Sequence, residues 1–436
     1  MSKLAHVPEA MQKVLKQEAN YAGSISGFVE RQSKLTAELF VQTIVFGWMN
    51  NPAASLEELT SMAALLGVEI TAQGLDARFN EEAPFCLKRV LDASVSQVIS
   101  SSPVSLELLN RFCGVYLEDA GTVGLPDDLA QAWIGCGSQK GQKSSVKLEV
   151  RLDFCSGHLG GPYLMDGYKH EARAALSKLQ LPANSLWLVD LGYFGLERME
   201  KISSQGAYFL IKTRSRLAIV DMDGKQWELG AFLRSQKSDR IDVRVKLGVR
   251  KKFACRLIAM RAPKEAVAKR RARLREDARC RCTKPTKQAL AVAEWTVYVT
   301  NVREEKLTVE EALILARTRW QIELLFKLWK SHGQIDNSRS KKSNRRLCEF
   351  YAKLIGMVIE HWILIVSCWS YPERSLMKAA KVVQKHVLFL AVALNCVSRL
   401  SVAIDEIKRC IAAGCKVNKR RKNPSNVQLL LAKSLA

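Results

Sequence analysis

Apolar positions recur three and four residues apart through the first hundred residues, break into short apolar runs from about residue 112, and return to helical spacing beyond 345. Residues 1–105 therefore predict a helical unit without strands. Within it, SLEELTSMAALLGVEITAQGLDARF (55–79) predicts a capped helix, a turn at Gly67 and a second helix carrying Gln73 and Arg78. That is the outline of a helix-turn-helix, and two packed helices that touch no DNA fit the pattern equally well.

The middle of the chain reads differently. FCGVYLED, VKLEVRLDF, GGPYLMDG, SLWLVDLG and AYFLIKT are rich in β-branched and aromatic residues and bounded by Gly, Pro and Asp, so they predict five strands. YKHEARAALSKLQL predicts a helix between the third and fourth, and FGLERMEKISSQG another between the fourth and fifth. Three antiparallel strands followed by strand-helix alternation predict an α/β domain, a mixed sheet with helices on its faces. More strand-like sequence follows at 217–259, then AEWTVYVTNV, and then one long helix from 308 to about 330. The predicted organisation is a helical region (1–105), the first part of the α/β domain (106–214), a β-rich basic insertion (215–292), the second part of the domain (293–345) and a helical C-terminal region (346–436).

Charge narrows the choice of partner. Lys and Arg number 67 against 43 Asp and Glu, a formal charge of +24. Such self-repulsion is relieved by a polyanion, with nucleic acid the obvious partner and an anionic membrane the competing one. Residues 250–287 hold fifteen Lys or Arg and three acids, and SRSKKSNRR and KVNKRRKNPS add two more basic runs, together predicting a surface for backbone phosphates. No membrane association is expected, because the most apolar stretch (350–369) carries Lys353, Glu360 and His361 near its middle and predicts a buried helix. The opening MSKLAHVPEAMQKV has no apolar leader, which predicts a cytoplasmic, nucleoid-associated protein. The twelve scattered cysteines match no zinc spacing and predict no disulfides.

Three acids stand in settings unlike the other forty. Asp119 ends one apolar run and is followed by Ala-Gly-Thr; Asp190 ends SLWLVD; Glu323 lies inside RTRWQIELLFKLWK. Carboxylates at the ends of neighbouring strands converge on one sheet edge, where oxygen ligands hold hard divalent cations. At ~100° per residue, Arg319, Glu323 and Lys330 share a helix face beside an apolar stripe of Ile322, Leu325, Phe326 and Trp329. The arrangement suits phosphodiester chemistry, with two metal ions held by carboxylates and flanking phosphates gripped by Arg and Lys. An ordinary amphipathic helix with an Arg319–Glu323 pair explains that helix alone as well.

These residues resemble the insertion-sequence transposases of the DDE type that carry a Tyr-Arg-Glu-Lys signature. Arg319, Glu323 and Lys330 fall on the signature, while Ala316 stands at its Tyr. DAGTVGLPDDLAQAWIGCG is similar to the family's first-aspartate segment, and VDLGYFGLERMEKISSQGAYFLIKTRSR to its second, with Asp190, Tyr193, Lys212 and Arg214. Trp295, 28 residues before Glu323, occupies the place of the family's base-flipping tryptophan.

The resemblance implies an RNase H-like catalytic domain interrupted by the insertion. It implies Asp119, Asp190 and Glu323 as catalytic metal ligands for two Mg²⁺ ions, with Mn²⁺ able to substitute. Arg319, Lys330, Trp295, Tyr193, Lys212 and Arg214 would contact DNA. The expected activity is cleavage at terminal inverted repeats and joining of 3′-hydroxyl ends to target DNA by a homodimer. N-terminal helices would read the repeats, and C-terminal helices would pair the subunits. Two other readings are a transposase-derived DNA-binding protein that has lost catalysis, motivated by Ala316, and an RNase H-like nuclease without strand transfer.

Overall fold

The computed structural model describes residues 7–29, 34–104, 106–137, 143–169, 176, 180–371, 373–418, 428 and 430. The helix expected over 168–181 and the basic run at 416–425 lie largely outside these residues.

The chain opens on α1 (Val7–Gln12), a π-helical turn, α2 (Ala19–Ile25), α3 (Ala37–Asn50), α4 (Leu56–Leu65), α5 (Ala72–Asp76), α6 (Ala83–Val95) and α7 (Glu107–Asn110). As expected, no strand lies among the described residues of this region. Then come β1 (Val115–Leu125), β2 (Ser144–Asp153), β3 (Leu159–Asp166), β4 (Leu186–Val189), α8 (Leu196–Ser204) and β5 (Tyr208–Lys212). Next are β6 (Ala218–Val220), β7 (Gln226–Glu228), α9 (Leu229–Ser235), β8 (Arg240–Leu247), β9 (Phe253–Arg261), α10 (Lys264–Cys280) and α11 (Lys287–Val292). The chain returns through β10 (Trp295–Thr300), α12 (Val309–Thr318) and α13 (Trp320–Ser331), and ends with α14 (Ser343–Leu364), α15 (Leu376–Lys385), α16 (Val387–Ala393) and α17 (Val397–Gly414).

The ten strands form one mixed sheet in the order β3-β2-β1-β4-β5-β10-β9-β8-β6-β7. β2 and β3 are antiparallel, β1, β4 and β5 are parallel, and β10 runs antiparallel to β5. This is the RNase H-like α/β arrangement. The 215–292 segment extends the sheet through the β10–β9 pairing, but its most basic stretch is the 17-residue helix α10. The insertion is therefore less β-rich than its alternating apolar runs suggested.

Two compact units divide the chain, and β1 belongs to both, its residues up to Glu118 to the second unit and those from Asp119 to the first. The first unit is built around α14, every residue of which is buried from Leu347 onward, against α3 and α6. The helical run Ser343–Trp369 is long and apolar enough to span a membrane, yet 94% of its most apolar window is covered by the protein itself. Each of its ionisable groups has a partner there, as burial demands. Lys353 donates to Glu349 at 2.7 Å and to the carbonyls of Gln334 and Asn337, Glu360 meets His332 at 3.1 Å, and His361 Nε2 contacts the Gly157 carbonyl at 2.9 Å.

The core of the second unit lies on one face of β4, β5, β10 and β9. Trp187, Phe209, Ile211, Val297, Val299 and Leu257 pack there with Met199 and Ile202 of α8 and with Phe232 and Leu233 of α9. Glu118, with no exposed surface, is paired at 2.7 Å with Arg198 of α8, whose guanidinium lies 4.4 Å above the Trp187 ring.

Burial holds the His361 imidazole down to about 4 from its ordinary 6.5, despite the opposing hydrogen bond to Gly157. The folded ring thus stays neutral where the unfolded chain takes up a proton. Stability from this site is full above pH 6.5 and falls as the pH drops toward 4, by roughly 3 kcal/mol across the window. Burial raises Glu360 above its ordinary value, which acts in the opposite sense as the pH rises, so the variant comparison isolates His361. His361→Gln keeps a donor for Gly157 and cannot charge. Urea melts from pH 7 to pH 4 should show the parent losing stability faster than this variant, and parallel losses would refute the assignment.

Candidate active site

β1 and β4 are parallel neighbours, and their register closes with Glu118 opposite Val189. Asp119 and Asp190 are the next residue of each strand. Asp119 does not end its strand, as its sequence context suggested; β1 runs on to Leu125, past the last residue paired with β4. Side chains alternate along β1, so Glu118 turns toward Arg198 while Asp119 takes the other face.

Within the first unit, α13 lies against the later half of β1. A Cβ built on Gly121 would come within 2.8 Å of the Phe326 ring, and Lys330 Nζ donates to the Thr122 carbonyl at 2.8 Å. These two contacts make strand and helix run the same way. Two residues back along the strand (~6.6 Å) is Asp119, on the same face as Gly121. Three residues back along the helix (~4.5 Å) is Glu323, on the same side as Phe326. Asp119 and Glu323 thus lie on the strand and the helix that meet at Gly121 and Phe326, each on the side of that contact. Asp190 belongs to the second unit. Among the described residues, no three His, Cys, Asp or Glu side chains stand together closely enough to grip a cation. The donor set consists of carboxylate oxygens, the kind of ligand a hard divalent ion takes.

The single helix expected across the signature is two. α12 ends at Thr318, Arg319 forms a turn, and α13 begins at Trp320. Arg319 keeps helical dihedrals (φ −50°, ψ −30°), so what changes is the hydrogen bonding rather than the direction of the backbone. Arg319 thus lies in the turn between the two helices, and Glu323 and Lys330 both lie in α13. In the second unit Arg319 is one of the charges felt by Lys212. Lys212 stands opposite Tyr298 in the β5–β10 register. Its ammonium is hemmed in although the residue reaches solvent, and this partial burial holds its pKa below the ordinary value; Asp190 opposes that shift, while Arg270, Arg319 and Arg273 reinforce it. Burial raises the Tyr298 phenol, which also feels Arg319, Asp190, Arg270 and Arg317.

The other expected DNA contacts differ in presentation. Arg214 is exposed, and its Nη2 donates to the Phe194 carbonyl at 3.1 Å. Tyr193 is buried, edge-on to Trp187. Trp295 is only 4% exposed and lies in the core cluster, with the Arg261 guanidinium 4.4 Å above its ring. Stacking on a base would require Arg261 to leave that ring. Ala316, at the signature's Tyr position, is also buried.

In the N-terminal region, α4 carries the expected capping box of Ser55 and Glu58, and Gly67 makes the turn at φ +84°. The second helix, α5, has only five residues. Arg78 is turned inward, its guanidinium 4.6 Å from the Phe28 ring, so of the two readings for this segment its side chain fits the packed-helix one. The run at 338–346 is partly engaged in ion pairs, Lys342 and Arg345 with Asp76 and Arg346 with Asp128. Sequence reasoning missed Glu118, Arg198, Gly121 and Arg270. Only Gly121, inside Asp-Ala-Gly-Thr, left a signal there.

Residues 115–359, more than half of the chain, match the model of the transposase DDE domain, and the chain belongs to that family. Among similar proteins is the transposase for insertion sequence element IS231F of Bacillus thuringiensis subsp. israelensis, 26% identical over 76% of this chain and 74% of its own length. The transposase for insertion sequence element IS1151 of Clostridium perfringens is 24% identical over 80% and 78%, respectively. The putative transposase InsL for insertion sequence element IS186A of Escherichia coli (strain K12) is 25% identical over 46% and 56%. The protein is thus a DNA-processing enzyme of the insertion-sequence transposase class, and its DDE domain implies use of a divalent metal.

Gly121→Ala places a methyl against the Phe326 ring, itself packed edge-on to Trp329 at 5.9 Å. The expected cost is about 1–3 kcal/mol of stability. DNA cleavage should fall further than DNA binding, because the strand-helix contact that carries Asp119 and Glu323 is wedged apart. Adding Phe326→Leu should recover part of the stability. Denaturant melts that leave Gly121→Ala as stable as the parent would show that the contact is not tight.

Proposed function

We propose that this transposase binds the terminal inverted repeats of its insertion sequence, cleaves DNA there and joins the freed 3′-hydroxyl ends to target DNA, acting as a homodimer in the bacterial cytoplasm at the nucleoid. Asp119, Asp190 and Glu323 hold two divalent ions, Mg²⁺ or in its place Mn²⁺. The observation that carries the reading is the placement of acids. Asp119 and Asp190 each follow the last paired residue of two parallel neighbouring strands, and the Gly121–Phe326 approach sets the helix that carries Glu323 against the strand that carries Asp119.

When bound, such ions activate a water or a 3′-hydroxyl and stabilise the departing oxygen. The remaining work falls to the chain's own side chains. Arg319 offers a planar fork to a phosphate beside the cut, and Lys330 adds a point charge while its bond to Thr122 steadies β1. Lys212 and Arg214 continue the basic track, with Tyr193 supporting it from the core. Trp295 acts in end processing once Arg261 is drawn off its ring. The N-terminal helices read the repeats, and the C-terminal helices pair the subunits.

A second reading, a DNA-binding protein without catalysis, is favoured by one feature. Ala316 is buried and supplies no phosphate contact where the signature has a Tyr. One experiment decides between the two. The parent protein is mixed with Mg²⁺ or Mn²⁺ and a duplex copied from the DNA flanking the coding region, and Asp119→Ala, Asp190→Ala and Glu323→Ala are assayed beside it. Each variant should bind as the parent does and lose cleavage by more than the roughly ten- to hundredfold typical of removing an outer partner of a metal ligand. Cleavage by Glu323→Ala at the parental rate would remove that residue from the site. Tight binding without nicking by the parent would favour the second reading.

A further inference from the structure

Of the seventeen residues of the inserted helix α10, only Ala278 is buried. The helix is nevertheless fastened along one side. Arg270 Nη1 donates to the Trp295 carbonyl at 2.9 Å and its Nη2 to Thr296 Oγ1 at 3.0 Å, Arg271 is paired with Glu294, and Val267 and Leu274 are half-buried. At ~100° per residue these four fall within an arc of ~100° about the axis. The rest of the circumference is exposed, and its charges are sorted. Lys264 and Arg275 lie ~20° apart on one flank, Lys269 and Arg273 ~40° apart on the other, and the two flanks are ~150° apart with Ala268 and Ala272 between them. Among the described residues, none of these four cations forms an ion pair. The charged residues between the flanks differ. Arg279 is paired with Glu276 at 2.7 Å, and Glu265 stands in the first turn, where the helix dipole favours a carboxylate.

This exposed side carries no large apolar residue, so it has nothing to bury against a protein surface or among acyl chains. Like charges one turn apart, as at Lys269 and Arg273, weaken a helix in isolation, and a polyanion relieves that repulsion. Flanks ~150° apart do not both touch a single row of phosphates. They do touch two rows when the helix lies between them, and the major groove of double-stranded DNA, ~12 Å wide, admits an α-helix. We propose that α10 lies in a major groove of double-stranded DNA, with Lys264 and Arg275 on the phosphates of one strand and Lys269 and Arg273 on those of the other. Ala268 and Ala272 keep the leading ridge of the helix low, so that the flanking cations reach the backbone. Arg270 and Arg271 hold α10 to the sheet from the opposite side. Contacts to phosphates position the duplex without reading its bases. The contact rests on the reading of this protein as a DNA-binding transposase and is independent of Asp119, Asp190 and Glu323.

The test measures affinity across a series of salt concentrations, without divalent metal so that no strand is cut. It uses the duplex copied from the flanking DNA and an unrelated duplex of the same length. Each phosphate contact adds about one to the slope of log affinity against log salt. Lys269→Gln with Arg273→Gln should lower that slope by ~2 on both duplexes, and Lys264→Gln with Arg275→Gln should do the same. Arg279→Gln, whose charge Glu276 already cancels, should leave it unchanged. All the substituted side chains are exposed, so the variants should melt in urea with the parent. An unchanged slope in either double variant overturns the proposal, since a single gripping flank means that the helix lies outside the groove. A loss confined to the flanking duplex also overturns it, because α10 would then be reading bases. A parent that binds neither duplex sinks the DNA-binding reading itself. A parent that binds both and cleaves neither when Mg²⁺ is added sinks only the catalytic one, and the α10 contact is still measured.

Discussion

The approach of α13 to β1 depends on the hydrogen that stands in place of a side chain at Gly121. Phe326 occupies the space a Cβ would need, at 2.8 Å. Any larger residue would push the helix off the strand, and Glu323 one turn earlier would move with it. The same helix is held from behind. A Cβ on Gly333 would meet Met357 Sδ at 2.5 Å, so the chain leaving α13 also lies flush against α14. His332 is bonded to Glu360 of α14, and the carbonyls of Gln334 and Asn337 are gathered by Lys353. Two glycines and two buried ionisable residues thus locate the helix that carries Glu323.

This explains why the longest apolar helix carries charged groups at its centre. An apolar residue in place of Lys353 would leave two carbonyls and Glu349 without their donor, each a buried polar group at a cost of about 1–3 kcal/mol. α14 is apolar enough to be a core and polar enough to fasten the loop that follows α13. At its far end His361 and Trp369 do the same for the β2–β3 turn, bonding the carbonyls of Gly157 and Phe154. Glu118 and Arg198 form the counterpart in the second unit. A fully buried carboxylate there ties β1 to α8 at the residue before Asp119. Removing either partner would strand the other charge and cost more than the pair contributes.

Much of this was legible in the sequence. The five strands of the sheet domain read directly from their β-branched and aromatic runs, because sheet burial imposes that composition. Asp119, Asp190 and Glu323 stood out because charge at the margin of an apolar run is expensive without a purpose. Other features had no such signal. The break at Arg319 keeps helical dihedrals and involves neither Gly nor Pro, so no residue type marks it. Asp119 lies within a strand rather than at its end, since β1 runs on to Leu125 after its pairing with β4 stops. α10 was hidden by its charge. A helix with seventeen residues and only Ala278 buried shows almost no apolar periodicity to read. Arg78 could not decide between its two readings in the sequence, since an arginine stem packs in a core as readily as its head meets solvent.

The distribution of charge carries the last step. Many basic residues are neutralised inside the protein: Lys342 and Arg345 by Asp76, Arg346 by Asp128, Arg256 by Asp242 and Arg271 by Glu294. These arginines and lysines fasten elements together, and their exchange for neutral residues would be felt as lost stability. Arg270 is different in kind, bound to neutral acceptors, the Trp295 carbonyl and the Thr296 hydroxyl. Fastening and binding place opposite demands on a cation, since the first needs its charge cancelled within the fold and the second needs it left for the ligand. A net charge of +24 does not distinguish them. The identity of the acceptor does: a carboxylate cancels the charge of the cation it fastens, whereas neutral oxygens such as those at Arg270 hold the side chain without cancelling it.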